Sequence, residues 1–322
     1  MKTQILCLLP LDDQQKEQLI QTAGKECELT FASIKTVTWE QAQAAQIIFG
    51  NIPHDMIKDS VNLKWLQLNS SGADNYTGLN RLPDGVLLTS ATGAYGQSVG
   101  EHSFAVMLMM MKNLHLYRDN QAKSLWADCG MVTTPVGSRI LIVGFGDIGT
   151  HFAKLCKATG AYVIGVKRTA AACPECLDQL ITPDKLDAEL AQADVVLSIL
   201  PGTKANDGFW NERRFAAMKK TAMFINVGRG SSVVQEDLYK ALYTNTICCA
   251  SIDVTTPEPL PLKSKLWKLP NLVLTPHIAG SYHLSQTLCN ILDICCKNLT
   301  RYQAGQPLCN RIDVKSGNRL AE

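Results

Sequence analysis

Short apolar runs alternate with polar, helix-period stretches along almost the whole chain. Over the first hundred residues, ILCLL (5–9), LTFAS (29–33), IIFG (47–50), WLQL (65–68) and VLLT (87–90) predict strands. Between the first two, DDQQKEQLIQTAG predicts a polar helix ended by Gly24. A helical stretch follows over 98–123; its centre, FAVMLMMM (104–111), is apolar all round and predicts a helix buried between domains. Pro135 and Gly137 end the next loop. From residue 139 the alternation resumes with RILIVG, YVIGV, VVLSIL, MFINV, ICCASIDV and LVLTP, separated by helical stretches. One more helix is predicted over 281–305, and VKSGNRLAE (314–322) reads as a polar tail.

Strand–helix alternation of this kind builds parallel sheets covered by helices. The fold class is therefore α/β, with two doubly wound parallel-sheet domains. A flavodoxin-like substrate-binding domain is expected over 1–99 and 281–322. A second domain, 100–280, is inserted into it, and ligand is expected in the cleft at the carboxyl ends of the strands.

Composition narrows the function classes. A chain of 322 residues exceeds one ordinary core. With 31 basic and 29 acidic residues, nothing in the charge calls for a nucleic-acid or acidic-membrane partner. The apolar run at the start is too short for a signal peptide, and none is long enough to span a bilayer. Twelve cysteines in a long chain of this kind fit free thiols in a reducing cytoplasm. Cys173 and Cys176 form a lone CPEC motif in a loop. It lacks the second pair that a zinc site would need, so no metal is expected.

The most informative motif is GFGDIG (144–149), which follows an apolar strand and opens a helix, so the inserted domain, 100–280, is expected to be a Rossmann dinucleotide-binding domain. Gly144 permits a tight turn, Gly146 lets the backbone approach a pyrophosphate, and Gly149 lets helix pack on strand. The first-turn N–H groups near Asp147 and Ile148 would face the anion. One strand and helix later, VIGVKRT has no acid where an NAD-binding unit would hold the ribose 2′-hydroxyl. Lys167, Arg168 and Thr169 stand there instead, a set suited to a 2′-phosphate, so NADP is preferred and NAD remains open.

Three further stretches, NVGRGSSVVQEDL (226–238), SIDVTTPEPLP (251–261) and TPHIAG (275–280), lie at or just beyond predicted strand ends. They supply one arginine, one glutamate and one histidine. Hydride addition to a ketone builds charge on oxygen, which a histidine can quench with a proton. A guanidinium can clamp the carboxylate of an acid substrate. Together with SSGAD (70–74) and ILPGT (199–203), these stretches resemble the D-isomer-specific 2-hydroxyacid dehydrogenases over nearly the whole chain, in the glyoxylate/hydroxypyruvate reductase-like branch. Formate dehydrogenases of this fold are similar but replace the glutamate, so Glu258 argues against that branch.

The resemblance implies a role for each matching position. Arg229 would bind the substrate carboxylate and polarise the ketone oxygen. His277 would be the general acid, and Glu258 would hold its imidazole and favour the protonated form. Asn69, Ser70, Ser71 and Gly72 would offer backbone N–H groups to the substrate, and Ser71 could also approach the cofactor. Asp253 would accept from the nicotinamide amide. Pro201 and Thr203 would border the adenosine side, Val227 and Gly228 would run under the nicotinamide ring, and Gly280, ending TPHIAG, would be a further cofactor contact. Val99-Gly100-Glu101 departs from the commoner VAE pattern, leaving Val99 as the residue expected to pack on the nicotinamide. Tyr76 and Tyr95 flank the first-domain loop, and their direction is open.

The implied activity is reduction of a small 2-keto acid by NAD(P)H to a D-2-hydroxy acid, with glyoxylate and hydroxypyruvate as expected substrates. A homodimer is implied, through the apolar helix 103–116 and the loop containing Trp126. Two alternatives stay open: a dinucleotide-sensing corepressor-like interaction protein, and a phosphoglycerate dehydrogenase-like enzyme.

Overall fold

The computed structural model describes residues 2–78 and 81–320. The chain forms two compact units, Met1–Tyr95 with Leu284–Glu322, and Gly96–His283. The divisions expected from the sequence were 99/100 and 280/281.

The first unit begins β1 (Thr3–Cys7), α1 (Asp13–Ala23), β2 (Cys27–Phe31), α2 (Trp39–Ala44), β3 (Ile47–Phe49), β4 (Trp65–Gln67) and β5 (Leu87–Thr89). All five strands are parallel, in the order β2-β1-β3-β4-β5. Both short helices start at capping boxes, Asp12 with Gln15 and Thr38 with Gln41, each pair exchanging two side-chain-to-backbone bonds.

The second unit opens with a correction. The stretch read as one helix over 98–123 is two, α3 (Gly96–Met111) and α4 (Leu114–Ala122). Asn113 breaks it: its backbone is left-handed, at φ 55°, and its amide nitrogen donates to the carbonyls of Cys129 and Met131. The chain continues β6 (Arg139–Val143), α5 (Asp147–Ala158), β7 (Tyr162–Val166), β8 (Gln179–Ile181), α6 (Leu186–Leu190), β9 (Val195–Ser198), α7 (Glu212–Ala217), β10 (Met223–Asn226), α8 (Gln235–Tyr243), β11 (Cys249–Ile252) and β12 (Leu272–Leu274). These seven strands form one parallel sheet, β12-β11-β10-β9-β6-β7-β8. The order reverses between β6 and β9, the switch point at which such sheets bind ligands. Strand β8 escaped the sequence reading because it is three residues long and flanked by polar positions.

Helix α3 lies tightly on α5. A Cβ at Gly96 would fall 2.5 Å from Asp147 Oδ1, and one at Gly100 would fall 2.8 Å from His151 Cβ. Close packing of two helices therefore explains the glycine in Val99-Gly100-Glu101.

The chain then returns to the first unit through α9 (Ser285–Gln303). Tyr302 stacks on Trp65 at 5.4 Å, and Asn298 Nδ2 donates to Gln67 Oε1 at 2.9 Å. The segment read as a polar tail, 314–322, is partly folded: Arg319 bridges the buried Ile312, and the Leu320 N–H donates to the Arg311 carbonyl. Its last two residues, 321 and 322, lie outside the described residues.

Candidate active site

Parallel strands place all their carboxyl ends on one edge of a sheet. In the second unit that edge carries the glycine turn after β6, Lys167–Thr169 after β7, Leu200 and Pro201 after β9, Val227–Arg229 after β10, Asp253 after β11 and Thr275–His277 after β12.

The glycine turn has the geometry of an anion cradle. Gly144 sits at φ 96°, and a Cβ there would lie 2.7 Å from the Ile199 carbonyl oxygen. Gly146 is the N-cap of α5, makes no side-chain cap bond, and has open space where a Cβ would point. The first-turn N–H groups at Asp147, Ile148 and Gly149 therefore face a position that no capping side chain fills. Gly149 packs on Phe145 and Ile142, where a Cβ would stand 3.1 and 3.2 Å away. Across the switch point, a Cβ at Gly228 would lie 2.6 Å from the Leu200 carbonyl oxygen, so the two loops cross backbone to backbone. These residues fit a dinucleotide. Lys167, Arg168 and Thr169 are all exposed beyond β7. Pro201 accepts through its carbonyl from the Thr203 N–H and from Asn206 Nδ2, which fixes that loop's shape.

Glu258 and His277 come together. His277 Nδ1 and Glu258 Oε2 are 2.8 Å apart. An ionised carboxylate only accepts, so the ring proton of this contact sits on Nδ1 and Nε2 is left for other partners. Glu258 is fixed in turn by the Thr255 N–H, which donates to its Oε1 at 3.0 Å. His277 itself has a left-handed backbone, φ 53°. A non-glycine residue holds that conformation only where its surroundings enforce it.

Asp253 is what enforces it. Its carboxylate is buried and accepts from Thr275 Oγ1 at 2.5 Å, the Ile278 N–H at 3.0 Å and the Ala279 N–H at 3.1 Å. Its own carbonyl accepts from the His277 N–H at 2.7 Å. Ser98 Oγ donates to the Ala279 carbonyl from α3, which anchors the turn leading to Gly280. Three of the Asp253 carboxylate's acceptor positions are thus committed to the histidine turn, a holding role that the sequence reading missed.

His102 was also missed. It places Nε2 3.5 Å from Thr275 Oγ1, and burial pushes its imidazole below the ordinary histidine range while Asp253 opposes this. No local pattern marks it, because 173 residues separate it from Thr275.

Arg229 follows β10 and is half-buried, with its Nη1 donating to the Gly228 carbonyl at 2.9 Å. Asn226, buried at the last position of β10, shapes this loop: its Nδ2 donates to the Arg229 carbonyl, and its Oδ1 accepts the Gly228 N–H. A polar residue ending the apolar run MFIN was the available signal.

In the first unit, the loop after β4 carries Asn69, Ser70, Ser71 and Gly72. The Asn69 N–H is already used, donating to Asn51 Oδ1 at 3.1 Å, which removes it from the set expected to serve a substrate. Its carbonyl accepts from the Tyr95 hydroxyl. Ser70 Oγ donates to the Gly72 carbonyl at 2.6 Å. Among the described residues, the Ser71 and Gly72 N–H groups have no hydrogen-bond partner. Tyr76 turns into the core and donates to the Ile52 carbonyl at 2.6 Å, so it narrows no pocket. Val99 is likewise buried in α3. Cys173 and Cys176 are unpaired thiols, and Cys176 packs against the hydrophobic core of the second unit.

Residues 104–279 match the family model described as D-isomer specific 2-hydroxyacid dehydrogenase, NAD binding domain. A solved D-isomer specific 2-hydroxyacid dehydrogenase family protein from Aeromonas salmonicida subsp. salmonicida A449 superposes with TM-score 0.87 at 30% identity, covering 98% of this chain and 100% of that one. A D-isomer specific 2-hydroxyacid dehydrogenase from Xanthobacter autotrophicus Py2, solved with NADPH and MES, gives TM-score 0.82 at 25% identity over 99% of this chain and 100% of that one. The human glyoxylate reductase/hydroxypyruvate reductase is 35% identical over 190 residues, 58% of this chain and 55% of that protein.

Proposed function

The chain belongs to the D-isomer specific 2-hydroxyacid dehydrogenase family, and from that premise we propose that it reduces a small 2-keto acid to a D-2-hydroxy acid with NADPH in preference to NADH. The observation that carries this reading is the 2.8 Å pair of His277 and Glu258, held on the same sheet edge as the glycine turn. A bound nicotinamide dinucleotide would supply the hydride. The chain's own residues do the rest. Gly144, Gly146 and Gly149, with the first turn of α5, hold the pyrophosphate. Arg229 forks onto the substrate carboxylate and orients the carbonyl. His277 delivers a proton from Nε2 to the ketone oxygen as charge develops there, and Glu258 keeps the ring in the orientation that makes this possible. The Ser71 and Gly72 N–H groups add donors for the substrate.

Lys167, Arg168 and Thr169 support the NADP preference, since no carboxylate competes with a 2′-phosphate at the end of β7. The relative solved with NADPH agrees with this. Glyoxylate and hydroxypyruvate are the favoured substrates, as the name of the human relative suggests. Twelve unpaired thiols favour a reducing, cytosolic setting. A second copy of the chain is the favoured partner. Leu125, Trp126, Met131, Val132 and Val136 form an exposed apolar arm after α4, with Trp126 fully in water.

The deciding experiment is a matrix of NADH and NADPH against 2-keto acids, scored by rate and product chirality. D-products from glyoxylate homologues are expected, while no turnover on any keto acid would sink the reading. In the same assay, Arg168→Asp should weaken NADPH by about tenfold or more and leave NADH little changed. Equal losses would remove Arg168 from the 2′-phosphate. Sedimentation of the Trp126→Asp, Met131→Asp variant should show monomer where the parent is dimeric.

A further inference from the structure

A second concave site lies away from the strand ends, between the outer face of α8 and the loop that precedes β12. It is a cavity of about 540 Å³ lined by Tyr239, Tyr243, Lys263, Lys265, Trp267 and Lys268, with Leu262 at its rim. None of these residues belongs to the machinery described above.

Its walls are aromatic. Tyr239 and Tyr243, one helical turn apart, stack at 5.6 Å with rings only 19° from parallel. Trp267 donates its Nε1 to the Pro261 carbonyl at 3.0 Å, which fixes the indole while half its surface stays in water. Leu262 is 97% exposed and Tyr243 68% exposed, so large apolar groups stand in solvent around the opening.

Its charge is one-sided. Lys263, Lys265 and Lys268 line it, and the carboxylate recorded against them is Glu236, 3.6 Å from Lys265. Lys265 also lies over the Tyr239 ring, 5.1 Å from its centre. Three ammonium groups less one carboxylate leave two positive charges, in a chain whose net charge is only +2. A phosphate monoester carries roughly −1.5 to −2 at neutral pH and so matches that excess. The volume lies within the range of roughly 300–1,000 Å³ typical of small-molecule sites. The nine lining residues fall well short of the roughly 20–30 per side of a stable protein interface.

We propose that this cavity is a second ligand site, for a nucleoside monophosphate or a closely similar flat ring bearing a phosphate. The ring stacks on the tyrosine pair and Trp267, and the phosphate lies among the lysines. Base–aromatic stacking tolerates any flat base, so selectivity resides in the pairing of ring with anion rather than in base identity.

The test is calorimetric titration of the full chain with its nicotinamide cofactor held at saturation, so that the dinucleotide site is filled. The probes are AMP, adenosine as ring alone and inorganic phosphate as anion alone. One AMP per chain should bind, about tenfold or more tighter than either fragment. Trp267→Ala and the double variant Lys263→Ala, Lys268→Ala should each weaken AMP by about tenfold, while keto-acid reduction stays near the parent rate. These positions are exposed, and circular dichroism confirms that each variant is folded. Absence of AMP binding under saturating cofactor overturns the proposal, and so does binding that both variants retain in full. Because the readout is binding, its failure leaves the reductase reading intact.

Discussion

The two units share an architecture and use their buried polar groups for opposite ends. In the first unit, Gln67 and Thr89 end β4 and β5, and both are satisfied within the core. Trp65 Nε1 donates to Thr89 Oγ1, Thr89 Oγ1 donates to Gln67 Oε1, and Asn298 of α9 donates to the same Gln67 oxygen. This network ties the returning helix to the strands. In the second unit Ser198 and Asn226 likewise end β9 and β10, and Asp253 follows β11. There they shape loops, Asn226 the one carrying Arg229 and Asp253 the one carrying His277. Burying a polar group is costly unless it is fully bonded. The partners of such groups therefore show what each unit holds fixed: the joint between distant parts of the chain in one, the candidate site in the other.

That contrast can be broken by substitution, and the largest effect belongs to the second unit. His277→Ala should lower turnover by about 10²-fold or more while cofactor binding, followed by fluorescence, stays within a factor of a few. Unchanged turnover would remove His277 from the chemistry. In the first unit, Asn298→Leu deletes one member of a buried network and leaves the Gln67 oxygen and the Cys309 N–H short of a partner. It should cost roughly 2–3 kcal/mol of stability, read in a denaturant titration, with kcat near the parent value. A large kcat loss in protein that remains fully folded would erase the distinction between the units. The finest test returns to the histidine turn. Thr275→Val removes one donor to Asp253 and should lower kcat by a factor of roughly 3–10, given the modest net worth of one such bond. Thr275→Ser keeps the hydroxyl and should restore the rate. If valine and serine behave alike, the hydroxyl does not hold the turn.

The aromatic cavity extends the same contrast. Lys263, Trp267 and Lys268 are exposed, so their substitutions are expected to alter binding without reaching either fold or turnover.

Much of the fold was legible in the sequence because the relevant forces act over a few residues. Apolar runs of strand length and the glycines that a tight turn or close packing needs both follow from local burial and backbone sterics. The same locality made GFGDIG legible, and it exposed the missing acid after β7. Glu258 and His277 were legible as types, and their pairing came from the family resemblance. Other features needed the folded chain. The break at Asn113 depends on carbonyls 16 and 18 residues away. The commitment of Asp253 to the His277 turn, the approach of His102 to Thr275 and the reach of Asn298 to Gln67 join residues 22 to 231 positions apart. A linear pattern encodes how a segment folds and which face it buries. Which side chains then meet is set by strand order and helix return, where bonding of buried polar groups over long separations decides the outcome.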